Sequence, residues 1–239
     1  MRHVPIWGLA ICSALVLAAC HSVSVSEQRW ERPFADGSFE EWIQRGGNGR
    51  FFMEEDVLVG ETVKETPNSF LCSPRSYSDF ELEFEVLVDE SLNSGVQIRS
   101  ESRPDYKDGR VHGYQVEIDP SQKPHRPSKG RPTNRMADGS PAPPEAPRSW
   151  SGGIYDEGRR GWLQPLTHNP EGRAAFKPGQ WNQFRVKAVG NTIKTWVNDV
   201  PCSDLEDDMT TEGFIAFQVH SSRTEGLQVR WRNVRVREL

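Results

Sequence analysis

In the segment GYQVEID, Glu117 and Asp119 stand two positions apart. On a strand that spacing projects both carboxylates from one face, about 7 Å apart at their Cα atoms. Such a pair could work as acid and base in sugar chemistry. His220, in GFIAFQVHSS, is a second candidate base because an unperturbed imidazole titrates near physiological pH. A histidine near a strand end is as readily structural, but Gln218 shares its face. Arg99 closes SGVQIR, and its fork of donors suits a carbonyl, a carboxylate or a developing oxyanion. A salt bridge to Glu117 is its competing use. Gln97 and Gln115 add amides to the same face. SGGIYDEGRRGWL then packs Tyr155, Asp156, Glu157, Arg159 and Arg160 into six positions. Tyr155 is a candidate acid, and Arg159 and Arg160 are candidate substrate-binding groups. Acid and arginine this close also pair with each other, so an ion network is the alternative. Trp162, flanked by glycine, offers an aromatic face for a ligand ring.

The elements that must position these groups are strands. Phe80, Leu82, Phe84, Val86 and Val88 alternate with Glu81, Glu83 and Glu85, the period of a half-buried strand. The alternation resumes in Val96 and Ile98 against Gln97 and Arg99, then in Tyr114, Val116 and Ile118 against Gln115, Glu117 and Asp119. One polar sheet face over residues 80–119 is therefore expected to be the working surface. Hairpin signals follow at Gly190-Asn191 and Asn198-Asp199. In GFIAFQVHSS, Ile215, Phe217 and Val219 share the core face, which leaves Gln218 and His220 on the polar one. The last strand changes phase between Trp231 and Val234, so a bulge is expected near Arg232-Asn233. About ten short strands with frequent turns and no long helix indicate an all-β jelly-roll sandwich of two antiparallel sheets in a single domain.

With 239 residues, 26% of them charged and 10% aromatic, the chain is a folded body rather than a disordered one. A net charge of −5 supplies no basic field for nucleic acid. Arg2 and His3 precede a mostly apolar run from Ile6 to Ala19, as in a secretory leader. Leu17-Ala18-Ala19-Cys20 looks like a bacterial lipobox, with Cys20 as the lipid attachment point and an ordinary cleaved signal peptide as the alternative. Residues 1–19 then read as leader, 20–29 as tether and 30–239 as domain, in an exported lipoprotein on the periplasmic or cell-envelope side. Membrane contact is expected through the lipid alone. Cys72 and Cys202 remain in a compartment that permits a disulfide, either bridged or as two separate buried thiols. Eight prolines between Pro120 and Trp150 mark a long loop leaving the polar end of GYQVEID. It reads as a lid near the site or as a surface excursion.

The ordered set DFELEFEV, NSGVQIRS, GYQVEIDPS, SGGIYDEGRRGW, PGQWNQFRVKAVGNTIKTWVND, GFIAFQVHS and VRWRNVRVREL resembles the bacterial 3-keto-disaccharide hydrolase family over roughly residues 30–239. The Glu-Ile-Asp string also resembles the catalytic strand of laminarinase-type glucanases, but Pro120, Ser121 and Gln122 stand where those enzymes need a further Glu. The resemblance implies a concanavalin-like jelly roll, export, and a carbohydrate substrate whose ring is oxidised to a 3-keto form. A ketone at C3 acidifies the C2 proton, so base removal and loss of the C1 oxygen, then addition of water, give net hydrolysis. That chemistry needs a base, an oxyanion donor and an acid. His220 or Glu117 suits the first role, Arg99 or Arg159 the second, and Asp119 or Tyr155 the third. Many family members carry Gln-Asp-His-Gly where this chain has Gln218-Val219-His220-Ser221, so any role of that Asp is gone. Whether a divalent metal assists is left open. A carbohydrate-binding module without catalysis is the alternative function.

Overall fold

The computed structural model describes Met1, residues 29–121 and residues 150–239. The leader, Cys20 and nearly all of the proline-rich segment lie outside the described residues. Among the described residues there are fourteen strands rather than about ten. They are β1 (Ile43–Gly46), β2 (Arg50–Glu54), β3 (Val57–Glu61), β4 (Ser69–Tyr77), β5 (Phe80–Val88), β6 (Ser94–Glu101) and β7 (His112–Ile118), then β8 (Ile154–Glu157), β9 (Gly161–Gln164), β10 (Asn182–Val189), β11 (Thr192–Val197), β12 (Val200–Glu206), β13 (Gly213–Val219) and β14 (Gln228–Glu238). One short helix, α1 (Pro170–Ala175), is capped by Asn169, whose Oδ1 accepts from the Gly172 amide at 2.8 Å. No described helix is long and apolar enough to cross a membrane.

The strands form two seven-stranded antiparallel sheets. The first runs β1-β4-β13-β6-β7-β8-β9 and the second β12-β11-β10-β5-β14-β3-β2. Each contributes alternate side chains to a shared core, as the period-2 pattern requires. Phe84 stacks on Phe184 within the second sheet at 5.1 Å, and Phe217 of the first meets Trp231 of the second at 5.1 Å. The expected phase change in β14 is real. Its register against β5 shifts between Arg232 and Arg235, and Asn233 takes a φ of 52°.

The expectation of one polar face over residues 80–119 fails. β5 belongs to the second sheet while β6 and β7 belong to the first, so their polar sides face opposite directions. Glu81, Glu83 and Glu85 lie on the outside of the second sheet, where Arg237, Arg235 and Arg232 of β14 pair with them. Those carboxylates serve the sheet. The working surface narrows to the outer face of the first sheet.

Cys72 and Cys202 are free thiols, not a disulfide. Cys72 joins an apolar cluster with Phe70, Val111 and Ala216, apart from the main core, whereas Cys202 of β12 packs in that core. The two side chains lie in separate clusters on strands of different sheets, and no bridge forms. Burial pushes the Cys72 thiol up to about 12 and the Cys202 thiol up to about 11.

Candidate functional site

Directly opposed residues on antiparallel strands share a face, so the registers define two rows across the outside of the first sheet. One runs Ile43, Cys72, Ala216, Gln97, Gln115, Tyr155. The other runs Arg45, Phe70, Gln218, Gly95, Glu117. The amides expected from the sequence meet at the centre. The Gln115 carbonyl accepts from Gln97 Nε2 at 2.5 Å and from Gln218 Nε2 at 2.9 Å, while its own Nε2 donates to Glu117 Oε2 at 2.9 Å. Ser100 Oγ completes the chain by donating to Gln97 Oε1 at 2.8 Å. Gly95 makes this crossing feasible, because a Cβ there would fall 2.5 Å from Gln115 Cγ and Cδ.

Glu117 is 4% exposed, and its second oxygen accepts from Asn93 Nδ2 at 2.6 Å. A carboxylate held by two side-chain amides is fixed in rotamer, which a positioned base needs. Asn93 reads in the sequence only as a turn residue, and its grip on Glu117 across the β6–β7 pair has no local signal. Asp119 lies just past β7, and its Oδ1 accepts from the Ser121 amide at 3.0 Å.

Beside these groups lies a cavity of about 820 Å³ lined by Phe70, Tyr155, Glu157, Arg110 and His220 among others. Burial pushes the Tyr155 phenol up to about 12, and the negative charges of Glu157 and Glu117 add to the push. Tyr155 is therefore a neutral hydroxyl at physiological pH, a donor rather than a base. Arg110 Nη2 donates to Glu157 Oε1 at 2.8 Å. His220 is half-buried just beyond β13, and its Nδ1 stands 2.8 Å from the Ser221 carbonyl. Gln218 Oε1, fully buried in the middle of the face, has no hydrogen-bond partner among the described residues.

Four expected site residues are elsewhere. Arg99 adopts a φ of 44° at a register shift in β6, which breaks the alternation after Gln97 and turns the guanidinium to the other side. It is 0% exposed and donates to the carbonyls of Ser78 and Gly190 and to Asp79, tying β6 to the β4–β5 connection and to the β10–β11 turn. Arg159 and Arg160 both close on the fully buried Asp156 at 2.6 Å, and Arg160 also reaches Asp207 at 2.8 Å. Asp156 pairs with Tyr114, a core-facing position, so this network lies on the opposite side of β8 from Tyr155. Burial works to raise the Asp207 carboxyl, but hydrogen bonds from Arg160 and Tyr114 outweigh it and hold it below the usual range. Trp162 is 2% exposed and packs edge-on against Trp150 at 4.6 Å, which leaves no face for a ligand. The ion network is the structural alternative the sequence allowed, whereas the expected ligand face of Trp162 is taken up by packing.

Among the described residues, no three His, Cys, Asp or Glu side chains gather in a way that would hold a metal ion. The donor set on this face is mainly amide, with Glu117 its central carboxylate.

The family profile described as the 3-keto-alpha-glucoside-1,2-lyase-like domain matches residues 29–237. Among solved structures, a protein of Parabacteroides distasonis ATCC 8503 provisionally described as a glycosyl hydrolase aligns with a TM-score of 0.60 at 18% identity, covering 88% of this chain and 94% of its own. A Bacillus subtilis protein of unknown function with a galectin-like fold gives 0.56 at 12% identity, covering 88% and 94%. A carbohydrate-binding module of Bacillus subtilis gives 0.50 at 14% identity, covering 82% and 95%. At these identities the structural likeness speaks to fold alone. Among curated proteins, none matches the sequence.

Proposed function

Because the chain belongs to the 3-keto-alpha-glucoside-1,2-lyase-like family, we propose that it cleaves 3-keto glycosides by elimination and rehydration. The observation that carries this reading is the Glu117 carboxylate, held by Asn93 and Gln115 on the same sheet face as the neutral Tyr155 phenol. In the proposed first step Glu117 takes the C2 proton. The C2–H electron pair forms the C2–C3 double bond of an enolate, with negative charge on the C3 oxygen. The Tyr155 hydroxyl donates to that oxygen, where a group that keeps its proton is worth most. As the enolate collapses to the ketone, the electrons form a C1–C2 double bond and the C1–O bond breaks. His220, on the wall of the cavity that Tyr155 also lines, delivers a proton to the departing oxygen. Water then adds its hydroxyl to C1 and a proton to C2, which returns the 3-keto sugar. Gln97 and Gln218, both fully buried, hold the face rigid through their bonds to Gln115. Arg99 and Arg159 have no part in the reaction.

Incubation with a 3-keto disaccharide and its unoxidised parent in deuterated water tests the reading. The expected result is cleavage of the keto sugar alone, with deuterium at C2 of the product. Saturable binding of either sugar without cleavage would replace it with the carbohydrate-binding reading. We further propose that the protein is a lipoprotein anchored at Cys20. Labelled fatty acid should be incorporated by the wild type and not by Cys20→Ala, and equal incorporation would refute the anchor.

A further inference from the structure

We propose that Arg45 and Phe70 form a carboxylate-binding subsite for the aglycone half of the substrate, an inference that rests on the elimination reading of Glu117. Arg45 sits on β1, directly opposite Phe70 of β4, in the row that continues through Gln218 and Gly95 to Glu117. Among the described residues its guanidinium has neither an ion pair nor a hydrogen bond, and its Nε is buried without a partner. A buried donor on a charged group without an acceptor is costly unless something else supplies one. Two strands away in the same row, Gln218 Oε1 is a buried acceptor with no donor among the described residues. Two orphaned polar atoms of opposite sense therefore flank Phe70 on the face that carries Glu117. By themselves, neither would mean much. Together they bound a stretch of sheet made for a ligand that offers a carboxylate to one end and a hydroxyl to the other.

Spacing decides which part of the substrate lies there. Arg45 and Glu117 are four strand separations apart, roughly 19 Å at Cα. A ligand that touches both extends beyond a single sugar ring. If the oxidised ring lies over Glu117, the group across the glycosidic bond lies toward Arg45. The floor in that direction is Phe70, which lines the cavity and packs in one apolar cluster with Cys72 and Ala216 of the neighbouring row. An aromatic and aliphatic floor beside a guanidinium fork suits a flat or apolar-faced ring that carries a carboxylate at its rim. A uronic acid and an aryl carboxylate share that chemistry.

The test uses the full-length protein and four 3-keto glucosides. Their aglycones are glucuronic acid, 4-carboxyphenyl, and the neutral counterpart of each. The wild type should prefer at least one carboxylate substrate over its neutral counterpart by about tenfold in KM, the worth of one charge-assisted contact. Which pair shows the preference identifies the source. Arg45→Gln should bring that ratio to about one, and Arg45→Lys should keep part of it. No preference in the wild type, or a preference that survives Arg45→Gln, overturns the subsite. If no substrate is turned over, the elimination reading fails separately, and calorimetric titration with glucuronate and with benzoate decides the subsite alone. Binding of either that is lost in Arg45→Gln supports it, while no binding of both to the wild type overturns it.

Discussion

Gly95→Ala should damage the site without touching any group that could do chemistry. The new methyl would stand 2.5 Å from Gln115 Cγ and Cδ, closer than carbon atoms can pack. Gln115 is 2% exposed and has three hydrogen bonds to lose, from Gln97, from Gln218 and to Glu117. At about 1 kcal/mol net for each, displacing the side chain costs about 3 kcal/mol. For a domain of this size that corresponds to a fall of roughly 6–12 °C in melting temperature. Glu117 also loses the Gln115 amide that holds it, so kcat on a 3-keto glycoside should drop about tenfold or more. Gly190→Ala is the control. Nothing lies within 4 Å of a methyl there, and the φ of 53° costs an alanine only about 1–2 kcal/mol. Thermal melts and initial rates on both variants decide the matter. A Gly95→Ala protein that melts within about 2 °C of the wild type, by the same scaling, and keeps full turnover would refute the amide chain as the frame of the site.

Asp156→Asn should cost about 3 kcal/mol in urea unfolding, toward the low end for a broken buried pair because Arg160 keeps Asp207. Turnover per folded molecule should stay at the wild-type level, and a loss of kcat would return Arg159 and Arg160 to the site. Tyr155 makes a pH prediction. Its phenol titrates near 10 when unfolded and at about 12 when folded. A raised folded value stabilises the protein fully below the unfolded one, so that contribution is present to about pH 10 and is lost between about 10 and 12. Burial also raises the phenols of Tyr77 and Tyr114, so absorbance titration of tyrosinate should show a late step that Tyr155→Phe shrinks by one tyrosine, and the variant should unfold less steeply with rising pH over that window. An unchanged late step in the variant would assign the shifted phenol elsewhere.

The strands were legible wherever the alternation ran unbroken. Phe80 to Val88, Tyr114 to Ile118 and Ile215 to Val219 lie on the core face as their spacing requires, and the interrupted phase after Trp231 marked a true bulge. Gln115, Glu117 and Gln218 could be placed on one face by parity. What failed was anything decided by the partner strand. Glu81, Glu83 and Glu85 alternate as cleanly as Gln115 and Glu117, and period 2 does not say which sheet a strand joins. Arg99 was lost to one residue in the left-handed region, where a single φ reverses every side assigned beyond it. Asp156, Arg159 and Arg160 fitted both a site and an ion network, and the two arginines close on the buried Asp156. Arg45 carries no sequence signal at all, since its interest lies in a neighbour it lacks.

The most direct test follows deuterium at C2 of a 3-keto glucoside in deuterated water, with wild type and Glu117→Gln side by side. Glutamine keeps the shape and the contact with Asn93 but removes the base and gives up the bond from Gln115 Nε2. The wild type should incorporate deuterium at C2 as it cleaves the substrate, and the variant should do neither above background while melting only about 2–4 °C lower. C2 exchange by Glu117→Gln at the wild-type rate would show that another group takes the proton, and the account of this sheet face would be wrong.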